Sequence, residues 1–273
     1  MNAVRGLTSA DIPAAMRLKD AVGWNQTELD WKNVLALAPE GCFGIDDGGR
    51  LVATTTAVCF GKELAWIGMV ITDPDYRGRG LAKRLMEHAL DYLRARGVHW
   101  IKLDATDMGR PLYQQLGFRD EEAIERWLRP AGRVASGDRR VGKYEADLAL
   151  DRQAFGADRS TLLNVLAGIE SASTSGLGYA MGRPGSNAAF FGPCVARSID
   201  AARELALWFL GRHPGENIFW DVLPANAQAV ELARELRFTP ARKLVRMSLT
   251  DKDALPLKNR DELVFAAAGF EYG

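Results

Sequence analysis

The chain has 273 residues, 47% hydrophobic and 26% charged, with 35 basic and 35 acidic side chains that cancel. That length suits two domains, and zero net charge argues against a protein whose work is coating DNA or RNA. Three scattered cysteines (Cys42, Cys59, Cys194) and three scattered histidines (His88, His99, His213) give no metal-ligand spacing and no disulfide framework, and no apolar run is long enough to span a bilayer.

The opening segment lacks the apolar core of a signal peptide, so a soluble, reducing, cytoplasmic setting is expected. Thr8 to Leu18 reads as a helix, with Ser9 or Asp11 as cap and Pro13 in its first turn. After GWNQTELDW a second helix is expected from Thr27 to Leu37. Residues 42–60 read as a hairpin turning at Asp46 to Arg50, and LAWIGMVIT as a strand buried on both faces. DYRGRG follows. From Gly80 an apolar stripe through Leu81, Leu85, Met86, Ala89, Leu90 and Leu93 marks a helix. VHWIKLDAT is the next strand, RPLYQQ a short helix ending at Gly117, and AIERWLR a final strand. Arg129 to Gly142, rich in Gly, Arg and small residues, reads as a linker.

The second half repeats this order. IFWDVL at Ile218 to Leu223 echoes IKLDAT at Ile101 to Thr106, and AAFFGPCVA with the helix at Ile199 to Leu210 echoes Trp66 to Thr72 with Leu81 to Leu93. A repeated strand–turn–helix–strand–helix order points to duplication of one α/β unit. The expected division is residues 1–130, a linker at 131–142, and residues 143–273.

Arg77-Gly78-Arg79-Gly80 sits between a buried strand and a helix. Helix N-terminal amides lack internal partners and face the positive end of the dipole, so an anion is favoured there. The lysine of a P-loop and the third glycine of a dinucleotide fingerprint are both absent.

Arg77-x-x-Gly80-x-Ala82, the preceding MVITDPDYRGRG and the following PLYQQLGF together resemble the GNAT acyltransferase superfamily. The implied fold is an α/β mixed sheet, here two tandem GNAT-like folds, each split between its fourth and fifth strands. The implied function is transfer of an acetyl group from acetyl-CoA to a primary amine by direct attack. By this resemblance, backbone groups of Val70, Ile71 and Thr72 pair with the pantetheine arm, and the amides of Arg77, Gly78, Arg79, Gly80, Leu81 and Ala82 hold the pyrophosphate. Tyr113 protonates the leaving thiolate, and Thr106 stands where many relatives carry a cofactor-binding asparagine. Glu63 and Asp104 are the candidate bases. Trp24, Asn25 and Gln26 lie where the acceptor loop is expected, with Trp31 as a further pocket candidate. No metal, nucleic acid or membrane partner is implied.

The second half departs from the pattern. Its turn RSIDAARE has no glycine, and Ala233 stands where Tyr113 would align, although Asn226 occupies the asparagine place. It is expected to be a degenerate copy that shapes the acceptor site without catalysing by the same route. Cys194 is expected to be a buried strand residue rather than a reactive thiol. A single chain could supply the partner that a one-domain relative gains by dimerising, so monomer or homodimer is expected. The alternative function is an acyl-CoA-binding sensor or scaffold without turnover.

Overall fold

Each expected element forms, and its ends follow local chemistry. In the computed structural model, which describes residues 3–132, 141–250 and 254–273, the first half runs β1 (Val4–Gly6), α1 (Ile12–Ala21), α2 (Glu28–Leu37), β2 (Cys42–Asp47), β3 (Arg50–Phe60), β4 (Leu64–Thr72), α3 (Leu81–Ala95), β5 (Trp100–Ala105), α4 (Arg110–Gln115) and β6 (Arg119–Arg129). The second half runs α5 (Leu148–Phe155), α6 (Ser160–Ala167), β7 (Glu170–Thr174), β8 (Gly178–Arg183), β9 (Ala189–Ala196), α7 (Ile199–Arg212), β10 (Ile218–Val222), α8 (Ala227–Glu235), β11 (Thr239–Thr250) and β12 (Val264–Ala266). Most of the expected linker, residues 133–140, lies outside the described residues. Thr27 starts α2 with a capping box: its hydroxyl faces the Asp30 amide while the Asp30 carboxylate takes the Thr27 amide at 2.7 Å.

Twelve strands join one sheet in the order β1-β2-β3-β4-β5-β11-β6-β10-β9-β8-β7, with β12 added alongside β9. The two halves exchange their final long strands. β5 of the first half pairs with β11 of the second, β10 of the second pairs with β6 of the first, and β6 and β11 meet antiparallel at the centre. A local two-fold relates the halves there. It is legible in two cross-strand ion pairs: Arg246 opposite Asp104, and Arg126 opposite Asp221. Arg126 donates to both Asp221 oxygens at 2.7 Å, and Arg246 to both Asp104 oxygens at 3.0 and 3.3 Å. Planar bidentate pairing suits guanidinium and carboxylate, and burial demands it.

One face of the sheet carries α3 over the first half and α7 with α8 over the second. Leu85, Met86, Ala89, Leu90 and Leu93 pack on Ile101, Leu103 and Ala105, while Leu205, Phe209 and Leu232 pack around Trp220. The opposite face is a single core shared by both halves, in which Leu18, Trp31 and Val34 meet Leu150, Leu163, Tyr179 and Tyr272. Trp31 is therefore core, fully buried, and not a pocket wall.

The sheet opens twice. β4 and β5 pair in parallel only from Leu64–Trp66 against Trp100–Lys102, and β9 and β10 only from Ala189–Phe191 against Ile218–Trp220. Beyond these points the strands part. β4 also bulges: Thr56 faces Gly68 but Thr54 faces Ile71, so β4 spends one residue more than β3, with Met69 at φ +48°.

Candidate active site

The first opening is a cavity of about 760 Å³, within the range of small-molecule sites. Val70, Ile71 and Thr72 form one wall, and Leu103, Asp104 and Thr106 the facing one. At the outer end lie Arg77, Gly78, Gly80, Leu81, Ala82 and Lys83.

At that end the backbone is prepared for an anion. Gly78 and Gly80 hold φ of +75° and +73°, which non-glycine residues reach only with strain. A β-carbon at either would meet nothing within 4 Å, so space lies beside the chain there. Gly80 is the N-cap of α3 and supplies no side-chain cap. Among the described residues, the amides from Gly78 to Lys83 donate to no protein oxygen. Six backbone donors are thus left without a protein acceptor at the positive end of a fifteen-residue helix. Arg77 lines the cavity, whereas Arg79 lies over the Tyr76 ring at 4.6 Å and donates to the Asp75 carbonyl at 3.1 Å.

Tyr113 projects from α4 into the cavity wall and is 8% exposed. Burial pushes its phenol above the ordinary value, so it stays protonated at neutral pH. Thr106 lines the cavity, and its hydroxyl accepts from the Gly109 amide at 3.2 Å, fixing the turn into α4. Asp104 borders the cavity, but its buried carboxylate is taken by Arg246; burial raises it and Arg246 opposes the rise. Glu63 does not reach the site. It is half exposed before the other end of β4, 3.5 Å from Arg152. At about 3.3 Å per residue it sits roughly 20 Å from Val70.

In the loop between α1 and α2, Trp24, Asn25 and Gln26 all border the cavity. Asn25 is committed to structure: Nδ2 donates to the Ala188 carbonyl at 3.0 Å, and Oδ1 accepts from the Asn187 and Ala188 amides. Gln26 differs. Its Nε2 donates to Glu271 at 3.0 Å, but its buried Oε1 has no partner among the described residues.

The second opening is filled by the chain itself. β12 pairs with β9 through Val264–Val195 and Ala266–Cys194, and the Ala267 amide reaches the Asp221 carbonyl on β10 at 3.0 Å. Asn226 donates to the Val264 carbonyl at 2.9 Å. At the helix that corresponds to α3, Ser198 caps α7 by accepting from the Ala201 amide at 3.3 Å. The strand edge left open in the first half is thus covered by protein here, and the helix start carries its own side-chain cap at Ala201. Cys194 is fully buried, and burial raises its thiol far above the ordinary value.

The tail then crosses to the first half. Gly68 is needed for its passage, since a β-carbon there would lie 2.8 Å from Glu271 Cα. Trp66 Nε1 donates to the Phe270 carbonyl at 3.1 Å, and Phe270 and Glu271 line the first cavity. So do Arg126 of β6, Phe219 of β10 and Arg242 of β11. Sequence reasoning missed these five. Glu271 carries no motif. Arg126 and Arg242 carried only a weak signal: charge in or beside an otherwise strand-like run.

Two family models match. The acetyltransferase (GNAT) family covers residues 13–118, and an acetyltransferase (GNAT) domain covers residues 148–266. The chain belongs to the GNAT family, as a tandem N-acetyltransferase with two GNAT domains. It is similar to the uncharacterised N-acetyltransferase YitH of Bacillus subtilis, 26% identical over 71% of this chain and 73% of that protein. It is also similar to the uncharacterised N-acetyltransferase MJ1207 of Methanocaldococcus jannaschii, 34% identical over 27% of this chain; the match spans only about a third, 34%, of that relative's length. A solved structure from Pyrococcus horikoshii superposes with a TM-score of 0.88 at 20% identity, over 100% of this chain and 96% of that one. That likeness is one of fold.

Proposed function

We propose that the chain transfers an acetyl group from acetyl-CoA to a primary amine, at the first opening alone. The observation that carries this is the asymmetry between two copies of one unit. The amides from Gly78 to Lys83 are open and border the same cavity as the β4 edge and Tyr113, while the matching features of the second half are capped by Ser198 and filled by β12.

Acetyl-CoA, when bound, supplies the thioester whose acetyl carbon an amine attacks directly. The amides of Gly78 to Ala82 are positioned to hold its diphosphate; the Arg77 amide, expected to join them, donates to the Pro74 carbonyl at 3.4 Å, so Arg77 contributes through its side-chain charge. The edge of β4 at Val70, Ile71 and Thr72, freed where β5 departs, offers backbone donors and acceptors to the pantetheine arm as a neighbouring strand would. Tyr113, kept neutral by burial, is a proton donor for the departing sulfur. Trp24 and Gln26 form part of the acceptor wall, and residues 143–273 close it from the other side. Asp104 acts as a positioning residue through Arg246 in this reading, and Glu63 has no part in the chemistry.

No helix among the described residues is long and apolar enough to cross a membrane. Three free cysteines, two of them buried, suit the reducing cytoplasm that we propose as its location.

The test is calorimetric titration with acetyl-CoA, paired with thiol release over a panel of amines. Binding with turnover supports the reading. Tight binding without turnover on any amine favours a sensor, and no binding of any short acyl-CoA defeats both.

A further inference from the structure

The cavity wall carries charges of both signs that the acetyl-transfer reading leaves unused. At one place Gln26 borders the cavity, and its buried Oε1 lacks a donor among the described residues. Beside it, Glu271 Oε2 accepts from Gln26 Nε2 at 3.0 Å. Glu271 Oε1 takes Arg183 at 2.6 Å, and the same arginine takes Asp30 at 2.9 Å. Two carboxylates share one guanidinium, so this buried cluster carries an excess negative charge. Burial raises the Glu271 carboxyl, with Arg183 the main opposing influence, Asp30 adding to the rise, and Arg126 and Gln26 lowering it. An ammonium donor placed here would satisfy both the orphaned amide oxygen and the excess charge.

At a second place the sign reverses. Arg126 is neutralised by Asp221, but its cross-strand neighbour Arg242 has no carboxylate partner among the described residues and borders the same cavity. The matching position on the other side of the two-fold is Glu122, opposite Arg246. Duplication therefore left an acid in one copy and an unpaired base in the other, and the unpaired base faces the open cavity. Arg126 links the two places: its guanidinium lies 4.3 Å from the Phe270 ring, next to Glu271, and directly opposite Arg242 in the sheet.

We propose that the acceptor is a small primary amine that also bears a carboxylate or a phosphate, its nitrogen received by Gln26 Oε1 and Glu271 and its anion by Arg242. This rests on the acetyl-transfer reading. The ammonium sheds one proton to Glu271 before attack. As the nitrogen–carbon bond forms and the carbon–sulfur bond breaks, the surplus nitrogen proton leaves to water and the sulfur takes one from Tyr113.

The experiment uses the full chain and thiol release from acetyl-CoA. Three sets of acceptors matched in size are compared: amino acids, amino-sugar phosphates or aminoalkyl phosphates, and the corresponding neutral amides or alcohols. The expected result is kcat/KM at least about tenfold higher for one anionic set than for its neutral counterpart, the scale of a lost charged contact. Arg242→Gln should collapse that ratio towards one while leaving the calorimetric Kd for acetyl-CoA unchanged. Gln26→Leu, which keeps Glu271 paired to Arg183, should raise the acceptor KM. Glu271→Gln should remove the acid limb of the kcat/KM profile.

Turnover without preference for anionic amines overturns the proposal. So does weaker acetyl-CoA binding by Arg242→Gln, since Arg242 would then be a cofactor contact. If no amine turns over, calorimetry of the same acceptors on the CoA-saturated protein decides: anion-dependent binding upholds the acceptor site although acetyl transfer fails, and its absence overturns both.

Discussion

Gly80 illustrates how a single residue sets the chemistry of the outer site. Its φ of +73° ends the entering turn, and its lack of a side chain leaves the α3 amides uncovered. Gly80→Ala meets no atom, so its cost is conformational, about 1–2 kcal/mol for a left-handed non-glycine residue. Relaxation of that strain would misalign the amides. Acetyl-CoA affinity is expected to fall by about an order of magnitude, one power of ten per 1.4 kcal/mol, as read by calorimetry. Tyr113 is the second case. Tyr113→Phe should lower kcat by about a hundredfold, the lower range for general acid catalysis, with Kd for acetyl-CoA unchanged. Because burial raises the phenol, its deprotonation should impose no descending limb on kcat between pH 6 and 9. A wild-type limb in that range which Tyr113→Phe abolishes would count against this role.

At the scale of elements, β6 and β11 hold the molecule together through two buried pairs. Arg126→Met leaves Asp221, fully buried, without its guanidinium, and should cost about 3–5 kcal/mol in denaturant unfolding. Adding Asp221→Leu should return much of that loss, because an apolar pair removes both the charge and its desolvation penalty. The end of α7 shows a pH-dependent contact. His213 Nε2 meets Glu170 at 2.8 Å, and this hydrogen bond raises the imidazolium above its ordinary 6.5. A raised folded-state value means the contribution is fully present below pH 6.5 and disappears as pH climbs through the folded value. Thermal unfolding of His213→Gln should therefore differ from the parent most at low pH and least at high pH.

Helices and strands were legible because their signals are local. The α3 stripe, the Thr27–Asp30 cap and the short apolar run of β4 each act within a few residues, and the structure places them where the pattern does. Partnership between strands was not legible. β6 reads as the last strand of the first unit, yet pairs with β10 and β11, because register and neighbour depend on groups a hundred residues away. The same limit hid part of the cavity wall. Thr106, Tyr113 and the Arg77–Ala82 turn sit within one motif-bearing stretch, whereas Glu271 and Arg242 reach the cavity only through the tail crossing and the strand exchange. Asp104 inside an apolar strand and Glu63 at a strand start are both candidate bases by sequence; only the fold identifies Arg246 as the partner of the first and sets the second, half exposed, roughly 20 Å from Val70 by strand rise.

At the scale of the whole molecule, the exchange makes each half incomplete alone. Without β11, the edge of β5 carries unpaired backbone groups and Asp104 loses Arg246. Residues 1–132 expressed alone are expected to pair with a second copy, β6 of each meeting β5 of the other and Arg126 replacing Arg246. Light scattering after size exclusion reads this directly, and a stable folded monomer would show that β6 can return to its own β5.

The sequence by itself determined the secondary elements, the duplication, the anion-ready turn at Arg77–Ala82 and the loss of that turn in the second copy. Each of these depends on backbone conformations and side-chain spacings fixed over short stretches. Tertiary structure decided which strands exchange, that the tail plugs one opening and walls the other, and which charges remain unpaired in the cavity. Those outcomes depend on burial and on partners distant in the chain, and no local pattern encodes them.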